Sequence, residues 1–222
     1  MNFRYPIFLD LSGKRCLVVG EGHEVVAKVR ALVDAEAKVC YVNPLAEPAI
    51  EALAAAGLIS WERRDFEEHD LAGCFLAIAD CEDNAEIFRL AEERQVLMNA
   101  VDDPEHCRFS FGSVHRQGDL TAAISTNGIA PALAVRLRER LAKEIGPEYQ
   151  EFLQMLSEVR GEIGSRITDF DARRALWYRI VDSDILDKLR EGRRDEAGRA
   201  LRQMINLALR ASAQERPKPH PA

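Results

Sequence analysis

Over the first 113 residues, short apolar runs take turns with segments whose apolar residues recur at helical spacing. The runs are "RCLVVG" (15–20), "KVCYVNP" (38–44), "LISWERR" (58–64), "CFLAIAD" (74–80) and "VLMNAVD" (96–102). Between them lie "EVVAKVRALVDAEA" (24–37), "AIEALAAAG" (49–57) and "NAEIFRLAEER" (84–94). In the first of these, Val25, Val29, Leu32 and Val33 share one helix face. A strand that is apolar at nearly every position must be covered on both sides, and helices between successive strands supply that cover. The pattern predicts an α/β domain with a doubly wound parallel sheet over residues 1–113.

The pattern changes after that. "FSFGSVHRQGDLTAAIST" (109–126) predicts two strands around a Gln-Gly-Asp turn, and "PALAVRLRERLAKEI" (131–145) a helix opened by proline, with Leu133, Leu137, Leu141 and Ile145 on one stripe. Residues 114–146 are expected to form a small strand–helix module for dimerisation and substrate binding. After Gly146-Pro147, about three charge-rich amphipathic helices are expected to residue 213, so that 147–222 forms a helical C-terminal domain. "QERPKPHPA" closes it as a frayed, disordered tail.

Bulk properties exclude several function classes. The 222 residues carry a net charge of −7, which argues against general nucleic-acid affinity. No apolar run approaches the roughly 18 residues of a membrane span, and no signal pattern opens the chain. Cys16, Cys40, Cys74, Cys81 and Cys107 are scattered, odd in number and without a CxxC pair. They read as reduced thiols of a cytoplasmic protein, not as a disulfide framework or metal site.

"VVGEGHEV" sets Gly20 and Gly22 between the first strand and the first helix. Such a turn lets backbone N–H groups at a helix N-terminus approach a pyrophosphate, as in Rossmann-type folds. His23 and Glu24 would flank the phosphates, Glu24 through its backbone. The third glycine of the usual fingerprint is Val25, and the second strand ends in Asn43-Pro44, where an acid usually meets the ribose. Asn43 can still hydrogen-bond a ribose and no arginine follows it, which favours NAD over NADP. A glycine turn without a ligand is the plainer alternative.

Ligands of a doubly wound sheet sit beyond the carboxyl ends of its strands. Ala79-Asp80 and Asp102-Asp103 both leave strands at that edge. Asp102 could take a proton while a bound cofactor takes a hydride; Asp103, before Pro104, fits a turn former. "AISTNGIAP" (123–131) offers Ser125, Thr126, Asn127 and Gly128 at a helix start, equally suited to an anion or to ordinary capping. From 104 to 143, Arg108, Arg116, Arg136, Arg138, Arg140 and Lys143 face Glu105, Asp119 and Glu139, a local excess of +3 that suits an acidic ligand or a solvated surface.

Taken with the opening "YPIFLDLSGKRCLVVGEG", the stretches "NAVDDPEHCRF" and "ISTNGIAP" make residues 4–145 resemble precorrin-2 dehydrogenases, the module that also forms the N-terminal part of siroheme synthases. The resemblance implies oxidation of precorrin-2 to sirohydrochlorin with NAD, by a homodimer, in siroheme biosynthesis. In some members it implies insertion of Fe2+ as well, with iron as a substrate. It matches Asp102 to the family's essential aspartate and Ser125–Pro131 to its tetrapyrrole loop, where Ile129 and Ala130 replace a lysine and a serine. Ser125, Thr126, Asn127 and Gly128 of that loop, with Arg116 and Arg136 of the basic excess, are the expected substrate contacts. His115 could assist or merely line a turn. A bifunctional dehydrogenase and ferrochelatase is one alternative; a non-catalytic NAD-binding regulator is the other.

Overall fold

The computed structural model describes residues 5–214, which pack as two compact units divided between Phe111 and Gly112. The tail expected from residue 214 falls outside the described residues, except Gln214, which ends the last helix.

The first unit is the predicted Rossmann-like α/β domain. Its strands are β1 (Arg15–Gly20), β2 (Lys38–Val42), β3 (Ile59–Glu62), β4 (Leu76–Asp80) and β5 (Leu97–Ala100). They form one parallel sheet in the order β3-β2-β1-β4-β5. The helices between them are α1 (His23–Asp34), α2 (Pro48–Ala55) and α3 (Asn84–Glu93). Side chains of β1 alternate between two apolar cores, as a pleated strand dictates. Cys16 and Val18 pack with Val25, Val29 and Tyr41 on one side. Leu17 and Val19 pack with Ala77, Ile87 and Met98 on the other. Each face thus has its own helical cover, which accounts for the unbroken apolar runs.

Beyond β3 the chain makes a 3-10 turn (Glu68–Leu71) around a buried carboxylate, Asp70. Asp70 accepts both guanidinium ends of Arg64, at 2.8 and 2.7 Å, and the backbone N–H of Glu67 at 2.9 Å. A fully satisfied buried charge holds this crossover against the sheet.

The last strand is shorter than expected. β5 stops at Ala100: Val101 still donates its N–H to Ala79 of β4, and Asp102 then turns the chain away with a left-handed backbone of φ 54°.

In the second unit, β6 (Ser113–Gln117) and β7 (Leu120–Ile124) form the expected hairpin, turned at Gly118 with φ 57°. Next come α4 (Pro131–Glu144), α5 (Pro147–Arg166), α6 (Phe170–Val181), α7 (Ile185–Arg190) and α8 (Arg194–Gln214). Four helices therefore follow α4, where the sequence predicts about three. Two local stops make the difference. Asp169 caps a new helix by accepting the N–H of Ala172 at 2.7 Å. Gly192, with φ 74°, ends α7 after six residues.

Phe152, Met155, Val159 and Ile163 of α5 meet Leu176, Ile180, Leu201 and Ile205 in a single core. The stripe predicted on α4 is less buried than its spacing suggests. Leu133 is exposed, and Ala134 is the helix's one buried residue.

Candidate dinucleotide site

Chain order reverses at β1, whose neighbours are β2 on one side and β4 on the other, so a crevice opens where these strands end. Gly20 closes β1 opposite Asp80 of β4. Its φ is 109°, and a Cβ there would stand 2.1 Å from the carbonyl oxygen of Asp80. No residue but glycine fits. Gly22, with φ 99°, precedes the first turn of α1 and has open space where a Cβ would project. The two glycines thus serve different ends. Gly20 lets two strands approach, and Gly22 puts no side chain over the helix N-terminus, which a closely approaching phosphate group requires.

Tyr41 lies beneath this turn. Its buried hydroxyl donates to the carbonyls of Gly20 at 2.7 Å and Leu45 at 3.2 Å. Burial foremost, and then the charge of Glu47, pushes the phenol up to about 12. The hydroxyl therefore remains a donor at neutral pH and fixes the turn to the segment after β2.

In that segment, Asn43 donates its amide nitrogen to Leu45 O at 2.8 Å and accepts Trp61 Nε1 at its own carbonyl at 2.9 Å. Pro44 is exposed beside it. His23 and Glu24 stand on the exposed side of α1, 3.6 Å apart. Ala79 does not reach the crevice: its side chain is sealed in the core and its carbonyl accepts the N–H of Val101 at 2.8 Å.

Asp80 and Asp102 come from β4 and from the turn after β5. The carboxyl of Asp80 is held above its ordinary range, first by burial and then by the negative charges of Asp102 and Glu24, with His23 opposing. The charge of Asp102 thus acts on Asp80, although 22 residues separate them in sequence. Asp103 behaves differently. It pairs with His106 Nδ1 at 2.6 Å within the 3-10 turn Pro104–His106, which ties it to the loop. Cys107 belongs to the same loop, with its thiol donating to Ala100 O at 3.1 Å.

The loop from β7 into α4 bends through Asn127 (φ 54°) and Gly128 (φ 79°). Its hydroxyls serve the backbone: Ser125 Oγ accepts the N–H of Asn127 at 3.1 Å, and Thr126 Oγ1 that of Ala130 at 3.2 Å. Of the local basic excess, Arg136 pairs with Glu139 at 2.8 Å and Arg108 pairs with Glu92. Arg116, exposed on β6, has no ion-pair partner among the described residues. His115 makes a hydrogen bond through Nε2 to Ile145 O at 3.0 Å, at the carboxyl end of α4.

Two residues that the sequence does not single out complete the site, Tyr41 and Glu47. Glu47 accepts the N–H of Gly22 at 2.5 Å. An acid a few residues beyond the second strand is a signal that "NPLAEP" does carry.

Fold and glycine turn define a Rossmann-like dinucleotide-binding protein. A family model of an NAD(P)-binding domain matches residues 7–113. Models of the sirohaem biosynthesis protein central region and of the sirohaem synthase dimerisation region match 117–144 and 148–205. The chain belongs to the family built from these three regions, that of the siroheme synthase N-terminal module, as its motifs indicate.

Siroheme synthase of Nitrosococcus oceani is 34% identical over 199 residues, covering 88% of this chain and 42% of that protein. The siroheme synthase of Methylococcus capsulatus is 34% identical over 215 residues, covering 96% and 45%. The chain spans less than half the length of these curated relatives. A solved structure of SirC, precorrin-2 dehydrogenase, superposes with a TM-score of 0.75 at 24% identity, covering 91% of this chain and 99% of that one. The likeness shows that the fold is shared.

Proposed function

We propose that this chain oxidises precorrin-2 to sirohydrochlorin with NAD, in siroheme biosynthesis. The observation that carries the proposal is that Asp80, paired with Gly20, ends β4 at the strand edge that holds the Gly20–Gly22 turn, while Asp102 stands in the turn just after β5. The side-chain-free turn and the amides that open α1 beyond Gly22 suit a pyrophosphate, with His23 and Glu24 at its flank and Asn43 and Pro44 toward the ribose. NAD, when bound, supplies the hydride acceptor.

Asp102 is the proposed base. Oxidation removes a hydride and a proton from the tetrapyrrole, and the proton passes to the Asp102 carboxylate. Asp80 stands beside it, its carboxyl raised first by burial and then by the charge of Asp102. For a polycarboxylate substrate, the proposed contacts are Arg116, Arg136 and the Ser125–Gly128 loop. The loop hydroxyls already serve backbone amides, so the arginines carry the charge recognition.

A second reading adds Fe2+ insertion to give siroheme, iron being the substrate; the name siroheme synthase borne by the relatives favours it. The match to a dimerisation region supports a homodimer. The five free cysteines suit the reducing cytoplasm, and no helix of the described residues is long and apolar enough to cross a membrane.

The test is an anaerobic incubation of the protein with enzymatically made precorrin-2 and NAD, following NADH and the sirohydrochlorin spectrum. Product that depends on NAD and on Asp102 supports the proposal, and added Fe2+ then tests chelation. NAD binding without product would replace it with the regulator.

A further inference from the structure

Glu47 holds the N-terminal cap position of α2 yet does not cap it. Its main-chain carbonyl accepts the N–H groups of Ile50 and Glu51, while no backbone N–H of α2 bonds to its side chain. The side chain turns back across 25 residues of sequence instead, and Oε1 accepts the Gly22 N–H at 2.5 Å. The other oxygen, Oε2, is buried and has no hydrogen-bond partner among the described residues. A buried carboxylate oxygen without a donor is costly, and natural structures keep few of them. A carboxylate can only accept, so the missing group is a donor, and it must sit at the glycine turn beside the segment that follows β2.

We infer that Glu47 is the residue that selects NAD over NADP, its unpartnered oxygen accepting a hydroxyl of the adenosine ribose. The inference rests on the proposal that this turn binds the dinucleotide. In Rossmann folds an acid near the end of the second strand accepts the ribose 2′-hydroxyl. Here the strand ends in Asn43, whose amide nitrogen is committed to Leu45. Glu47 brings the acid to the turn four residues later. A 2′-phosphate has no hydroxyl to donate there and would set two negative groups against each other. The segment from Asn43 to Glu62 contains neither lysine nor arginine to neutralise them, and the arginine that follows, Arg63, is stacked on Trp61 at 4.2 Å. Discrimination thus lies with one side chain at the start of α2.

Calorimetric titration of the full chain with NAD and with NADP tests this, using Glu47→Gln and Glu47→Ala, with thermal unfolding of each variant as the control for folding. The unmodified protein should bind NAD the tighter. Losing a charge-assisted hydrogen bond should weaken NAD by about 10- to 100-fold, while NADP is unchanged or gains, so the ratio of the two affinities narrows at least about tenfold. Equal weakening of both dinucleotides would make Glu47 merely structural and overturn the inference. Equal strengthening would make it a competitor for the phosphate position and overturn it too. Glu47→Gln keeps the side chain's volume, so an unfolded Glu47→Ala would leave the measurement intact. If the unmodified protein binds neither dinucleotide, the functional proposal itself fails.

Discussion

Gly20 and Asp80 end adjacent parallel strands so closely that a single methyl group on Gly20 would stand 2.1 Å from the Asp80 carbonyl oxygen. Gly20→Ala must therefore push β1 and β4 apart while holding alanine at φ 109°. We expect a loss of about 2–4 kcal/mol in denaturant unfolding, together with weakened dinucleotide binding. Gly22→Ala has the space that Gly20→Ala lacks, so its penalty should come from backbone strain alone and be the smaller.

Asp102 and Asp103 are neighbours with separable roles. Asp102→Asn should lower sirohydrochlorin formation by about 10²–10⁴-fold while leaving calorimetric NAD binding within error. Asparagine tolerates the left-handed φ of 54°, so the fold should be kept. Asp103→Asn loses the charge that pairs with His106 and should reduce turnover only slightly. If the two variants lose activity equally, Asp102 is not the base.

The raised carboxyl of Asp80 makes stability depend on pH. The folded chain binds this proton more tightly than the unfolded chain, so stability falls as pH rises from the ordinary carboxyl range through the raised value, and the cost is complete above it. Asp80→Asn removes that cost. The variant should therefore gain thermal midpoint over the parent at pH 7, and the gain should shrink at pH 4.

Asp70 runs the other way. Burial alone would raise its carboxyl, but the Arg64 guanidinium and the Glu67 N–H outweigh it and hold it below the usual range. Its contribution is present above the unfolded carboxyl range and lost as pH falls through the lowered value. Arg64→Ala removes two of the three hydrogen bonds described at the buried carboxylate and its counter-charge, leaving the Glu67 N–H. Chemical unfolding at pH 7 should show a loss of about 3–5 kcal/mol, and the acid limb of the stability profile should lose the part due to Asp70.

The five-stranded sheet is legible in the sequence because its inner strands β1, β2 and β4 are apolar on both faces, and only a sheet covered twice accepts that; the edge strand β3 alternates instead. Boundaries are less so. The apolar run into Asp102 reads as strand, and only the backbone turn at Asp102 cuts β5 back to Ala100. Asp80 and Asp102 are legible as strand-end acids, since topology alone brings those ends together. Glu47 is not, because its role depends on a side chain folding back from α2 to a turn formed 25 residues earlier, and no local period encodes that contact. Leu133 fails for a related reason: spacing defines an apolar stripe on α4 but not what covers it.

The hairpin β6–β7 has no interior strand, and α4 and α5 pack against both of its strands. A two-stranded ribbon is marginal by itself in water. Its backbone amides can therefore resist hydrogen exchange only while those helices stay docked. Protection measured at Val114 or Ala122 should open with the same free energy as the helices that support them. Proteolytic nicking anywhere in α5 should release the ribbon in the same event.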